Sequence, residues 1–173
     1  MSSPLLTLAA ISFAIAVPVS AMQAQEGPDD PTIVAIFDAA NTVDIETGQL
    51  AAGKGSTDAV RQFGMMLVRD HRAVRQQGRD LASKLGVTPT PPRDDSAARD
   101  HAATMERLRG LSGTAFDRAF LEHEVAFHAA VIEAVKTTLL PAIDNAELRA
   151  LVEKVAPAFV AHQKAAESLL ARM

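Results

Sequence analysis

TAFDRAFLEHEVAFHAAVIEAVKTTLL, residues 114–140, decides the fold. Phe116, Phe120, Phe127, Val131, Val135 and Leu139 recur at intervals of four and seven, which stacks them along one face of an α-helix. Asp117, Glu124 and His128 fall near the centre of that same face, and Glu124 and His128, four apart, are neighbours on it. This is a core-facing helix that carries ionisable groups on its apolar side. Thr114 and Asp117 form a capping-box pattern at its start, so the cap is the simplest role for Asp117, and Pro141 ends the helix after Leu140.

The same helical spacing extends in both directions. Asp30-Pro31 opens a first helix that runs to about Ala52, with Asp as cap and Pro at the first helical position. Gly53-Lys54-Gly55-Ser56 is a turn, and Ser56 or Thr57 caps a second helix over Asp58–Leu85. Its stripe is Val60, Phe63, Leu67, Val74, Leu81 and Leu85, closed by Gly86. Thr88 to Pro92 is a proline-rich connector. Asp94–Arg109 forms a shorter polar helix. Asp144-Asn-Ala-Glu147 opens a last helix to the C-terminus, kinked by the internal Pro157. No segment alternates as a strand would. The expected fold is all-α: a ferritin-like four-helix bundle over residues 31–173, with the short additional helix in its crossover.

Residues 1–21 read as a secretory signal peptide. Pro4 to Val17 is apolar but too short to span a bilayer, and Val19-Ser20-Ala21 offers small residues for cleavage. Residues 22–30 form a polar linker. This predicts an exported, periplasmic chain with no transmembrane span in its mature part; the alternative is an uncleaved membrane anchor. The absence of cysteine excludes thiol catalysis and iron–sulfur clusters. A net charge of −4 and the absence of Trp and Tyr argue against a nucleic-acid partner.

Other polar residues also turn toward the core. Asp70 and His71 flank the stripe of the second helix, and His162 aligns with Leu151, Val155, Ala166 and Leu169 on the last. Asp44 and Glu46 sit at the two edges of the first helix's stripe, so either could turn inward. Buried charges are costly unless paired or bound to a metal. The candidate metal ligands are therefore Glu46, Asp70, His71, Glu124, His128 and His162, a set suited to Fe, Mn, Zn or Cu. The competing reading is a set of structural hydrogen bonds. Glu-x-x-His, the signature of di-iron bundles, does not occur in the chain. His101 is expected to be solvated, His123 structural, and Met65 and Met66 packing residues.

Asn41-Thr-Val-Asp44-Ile-Glu46-Thr-Gly-Gln-Leu-Ala, Met66-Leu-Val-Arg-Asp70-His71, Ser112-Gly-Thr-Ala-Phe116-Asp117-Arg-Ala-Phe-Leu121, and Pro157 followed by His162 occur in that order. Together they resemble the exported ferritin-like family called domain of unknown function 4142, over about residues 32–171. The resemblance implies a ferritin-like bundle in a bacterial envelope and no established activity. It carries Asp70, His71, Phe116, Asp117, His128 and His162 over as family positions. Similar sequences often place Asp before the histidine of the fourth long stretch, where this chain has Phe127. Three functions stand as expectations: a non-enzymatic structural, interaction or stress-related protein, with an envelope protein partner or self-association; a metal-binding bundle for sequestration or redox protection; and, with less support, a di-metal oxidase.

Overall fold

The computed structural model describes residues 27–173, so the expected signal peptide and most of the expected linker lie outside the described residues. Five helices are present among the described residues. Asp29, one residue earlier than expected, caps α1 (Asp30–Lys54) by accepting the Thr32 N–H at 3.0 Å. Thr57 caps α2 (Asp58–Leu85) through the Val60 N–H, and Gly86 ends it in the left-handed region at φ +66°. The crossover carries α3 (Ser96–Gly110), followed by α4 (Gly113–Ala134). Asn145, rather than Asp144, caps α5 (Ala146–Leu170) by accepting from the Glu147 and Leu148 N–H groups.

Pro141 does not stop α4 where its position suggests. The helix widens into a π turn over Val135–Leu139 and continues through Leu140–Ala142. Proline lacks the N–H for an i−4 bond and its ring crowds that carbonyl, so a wider turn upstream lets the chain pass it. Pro157 is likewise accommodated inside a continuous α5.

Three contacts fix the topology. Asp30 accepts from the backbone N–H groups of Asp144 and Asn145 at 3.0 and 2.9 Å, which sets the start of α5 beside the start of α1. The Thr90 N–H donates to Pro31 O, so the crossover begins at that same end. Lys54 donates to Arg109 O at 2.6 Å, so α3 returns the chain to the opposite end. Helices α2 and α4 therefore run parallel, and each pairs with an antiparallel neighbour, α1 and α5 respectively. This is the one-crossover connectivity of a ferritin-like bundle.

Asp117 is not the helix cap its pattern suggests. It is buried, and its carboxylate accepts from the Ser56 N–H at 2.8 Å and from the Ser56 hydroxyl, tying the α1–α2 turn to α4. Met66 packs against the core, whereas Met65 is exposed, since adjacent helical residues point about 100° apart.

The interior is layered. One apolar cluster (Ile33, Phe37, Leu148, Val152 and neighbours) fills the end where α1 starts, and another (Phe63, Leu67, Phe116, Phe120 and neighbours) fills the other end. Between them lie the buried polar residues Asn41, Asp44, Thr47, His71, Glu124, His128 and His162.

Helices α1 and α2 touch through backbone at Gly48 and Gly64. A Cβ on Gly64 would stand 2.6 Å from Gly48 O and 2.8 Å from Ala52 N, neither of which can yield without moving a helix. Gly64→Ala should therefore lower stability by about 1–3 kcal/mol in urea unfolding. Gly53→Ala, whose Cβ meets nothing within 4 Å, should be neutral or stabilising by up to about 1 kcal/mol. Equal behaviour of the two variants would contradict the close approach.

Candidate metal centre

Each polar residue of the middle layer is delivered by ordinary helical spacing. Asn41, Asp44 and Thr47 continue the buried stripe of α1 from Phe37 toward Ala51. His71 follows Leu67 by one turn on α2, Glu124 and His128 are one turn apart on α4, and His162 follows Phe159 on α5. Asp44, Glu124 and His128 are completely buried, His71 nearly so, and His162 is 5% exposed.

The hydrogen bonds assign the imidazole protons. Asn41 donates its amide Nδ2 to Phe37 O, which turns its Oδ1 toward His71 Nδ1 at 3.0 Å. His71 Nδ1 must then carry hydrogen, leaving a lone pair on Nε2. His128 Nδ1 lies 2.9 Å from the Glu124 carbonyl oxygen, so it donates there and its lone pair is on Nε2. His162 Nε2 lies 3.2 Å from Asp70 Oδ2, so it donates there and its lone pair is on Nδ1. Every outward nitrogen is thus held by an acceptor. Of the nitrogens left over, His71 Nε2 and His162 Nδ1 stand 3.1 Å apart, and His128 Nε2 has no hydrogen-bond partner among the described residues.

Two lone pairs facing each other at that distance repel unless an electron-poor centre joins them. A proton is one such centre, but burial opposes it. It pushes His71 down to about 3 and His128 to about 4, and lowers His162 against the raising effect of the Asp70 carboxylate, with the charge of neighbouring imidazoles adding to the effect at His71. A metal ion is the other. His71, His128 and His162 each offer one ligand atom, all within 4.8 Å of one another. In a tetrahedral site with bonds of about 2.0–2.1 Å, two nitrogens stand about 3.3 Å apart, close to the spacing His71 and His162 already have. Acceptors on the outward N–H groups are the usual outer shell of metal-binding imidazoles.

Two carboxylates adjoin the imidazoles. Asp44 Oδ2 is 3.4 Å from His71 Nδ1 and Oδ1 is 3.8 Å from His128 Nε2, and neither oxygen has a hydrogen-bond partner among the described residues. Glu124 Oε1 accepts from the Thr47 hydroxyl at 2.7 Å, while Oε2 is unpartnered. Asp44, Glu124 and His128 form a second convergent trio. Burial raises Glu124 to about 7 and Asp44 well above the carboxylate range, the latter reinforced by the negative charge of Glu124.

The structure brings together His71, Glu124, His128 and His162, with Asp70 one step outside. It does not bring in Glu46, which is half-exposed and binds His101 Nε2 at 2.8 Å. Glu46 lies about 200° around α1 from Asp44, so only one of them can face the core, and the spacing from Asn41 to Thr47 selects Asp44. His101 is consequently paired on the flank of the bundle instead of solvated. His123 stacks on Phe127 at 5.6 Å, and burial pushes it to about 4.

Fold and interior together define a ferritin-like helical bundle with a nitrogen-rich polar layer. The chain belongs to the family described as Domain of unknown function (DUF4142), whose model matches residues 16–169. It is similar in fold to a DUF305 fragment from Deinococcus radiodurans, with a TM-score of 0.72 and 17% identity over 83% of this chain and 95% of that one. It is also similar to CopM in the Cu(II)-bound form, with a TM-score of 0.65 and 14% identity over 84% of this chain and 98% of that one. No curated protein matches the sequence.

The raised Glu124 carboxyl has a consequence for stability. In the metal-free protein the folded state keeps this proton up to about pH 7, whereas the unfolded chain releases it near 4.5. Its stabilising contribution is full below pH 4.5 and is lost as pH rises through 7. Glu124→Gln should therefore gain on the wild type by on the order of 1–3 kcal/mol between pH 5 and pH 8, measured by urea unfolding in chelator. A pH-independent difference would contradict a carboxyl raised by burial.

Proposed function

We propose that this protein is an exported metal-binding bundle that holds one divalent transition-metal ion in its middle layer. His71 Nε2, His128 Nε2 and His162 Nδ1 are the nitrogen donors, and Asp44 is the carboxylate beside them. One observation carries the reading. All three outward imidazole nitrogens are engaged by acceptors, so three lone pairs are left inside one buried layer. A purely structural polar layer leaves His128 Nε2 without a partner, and pairs Asp44 with Glu124 only if one of the two carboxyls is protonated.

The donor chemistry narrows the ion. Imidazole with carboxylate suits Zn(II), Cu(II) and Fe(II), while cuprous ion favours the thiolate and thioether donors that this cluster lacks. The two carboxylates, Asp44 and Glu124, balance one divalent charge in a layer where net charge is expensive. The fold it shares with CopM in the Cu(II)-bound form makes copper(II) the first ion to test. With its donors buried, the centre suits sequestration of an ion in the envelope better than turnover of a substrate. The export reading of residues 1–21 supports that setting.

The full chain loaded with Cu(II) or Zn(II), then dialysed, should retain about one ion by elemental analysis, and His71→Ala or His162→Ala should retain none. Metal at a hundredfold excess over its Kd should stabilise the wild type by about 2.7 kcal/mol. His128→Leu separates binding from folding. Its metal-free form should be as stable as the wild type or more so, because an apolar group replaces a buried imidazole whose Nε2 has no partner, yet added metal should not stabilise it. Retention of no ion by the wild type, or equal retention by the histidine variants, would end this reading.

A further inference from the structure

The buried centre must be reached, and the structure offers two ways toward it. One is a cleft of about 530 Å³ between α1, α4 and α5, walled by Ile36, Val131, Val135, Val152 and Ala156. Its inner end meets Asn41 and Phe159, whose ring lies 5.2 Å from that of His71 and 5.9 Å from that of His128. A hydrated divalent ion passing this wall would give up water oxygens against hydrocarbon, which opposes entry strongly. The other way is polar. Asp70 on α2 is 30% exposed, its Oδ2 holds His162 Nε2 at 3.2 Å, and the opposite nitrogen of His162 lies 3.1 Å from His71 Nε2. A carboxylate at the surface is thus joined through one imidazole to the interior donors. Arg69 lies over the outer oxygen, its Nε donating to Asp70 Oδ1 at 2.7 Å.

We propose that Asp70 is the entry ligand for the metal and Arg69 its latch: the ion displaces the Arg69 guanidinium from Asp70 Oδ1, and the His162 ring, its Nε2 keeping its hydrogen throughout, swings aside so that the ion reaches the lone pairs of His162 Nδ1, His71 Nε2 and His128 Nε2. The inference rests on the metal reading above and adds the route. It makes a kinetic claim that a merely supporting role for Asp70 does not. A group that acts on the path lowers the barrier for entry and exit alike, so its loss slows both rates and leaves affinity nearly unchanged. A group that only orients His162 acts on the bound state, and its loss raises the dissociation rate alone.

The test is stopped-flow association and dissociation of Zn(II) with the full chain, followed by a metallochromic indicator, at two ionic strengths. Asp70→Asn keeps an oxygen acceptor for His162 and removes the charge. It should slow association about tenfold, slow dissociation comparably, and abolish most of the salt dependence of the association rate. Arg69→Gln should associate faster than the wild type. An unchanged association rate in Asp70→Asn, whether or not dissociation rises, overturns the route while leaving the site intact. Absence of Zn(II) and Cu(II) binding by the wild type at equilibrium would instead remove the site itself.

Discussion

Three imidazoles whose outward N–H groups are already engaged cannot also satisfy each other inward, and the middle of this bundle is organised around that constraint. Asn41, the Glu124 carbonyl and Asp70 each fix one ring. Each of those acceptors is set by a helix: Asn41 by its own bond to Phe37 O on α1, the carbonyl by the ladder of α4, and Asp70 by its place beside His71 on α2. The apolar clusters above and below exclude water and make the unpartnered groups costly. The layer is therefore a local loss of stability held in place by the packing around it, as is common where a fold carries function.

Most of the fold was legible because each helix has its own periodicity and punctuation. The stripe around Phe116 and Phe120, the cap at Thr57 and the left-handed Gly86 are local signals, and they give the helices and the crossover. The candidate site was legible to the extent that a polar residue interrupts an apolar stripe at its centre, as His71, Glu124, His128 and His162 do. Asp44 and Glu46 lay at opposite edges, where the angular reading divides evenly. The deciding signal was the continuation Phe37, Asn41, Asp44, Thr47, Ala51, in which the polar members share the spacing of the apolar ones.

What was not legible depended on partners far away in sequence. Asp117 matches a capping pattern, yet its carboxylate belongs to Ser56, 61 residues earlier. Gly48 and Gly64 look like helix-weakening residues until two backbones are seen in contact. The tautomers of the histidines could not be read at all, because each depends on an acceptor supplied by the folded arrangement.

The most direct measurement is long-range ¹H–¹⁵N correlation NMR of histidine-labelled protein loaded with Zn(II). The account predicts metal on Nε2 of His71, Nε2 of His128 and Nδ1 of His162, with hydrogen retained on the opposite nitrogen of each ring. A proton found on any of those three inward nitrogens, or metal on an outward one, would contradict it.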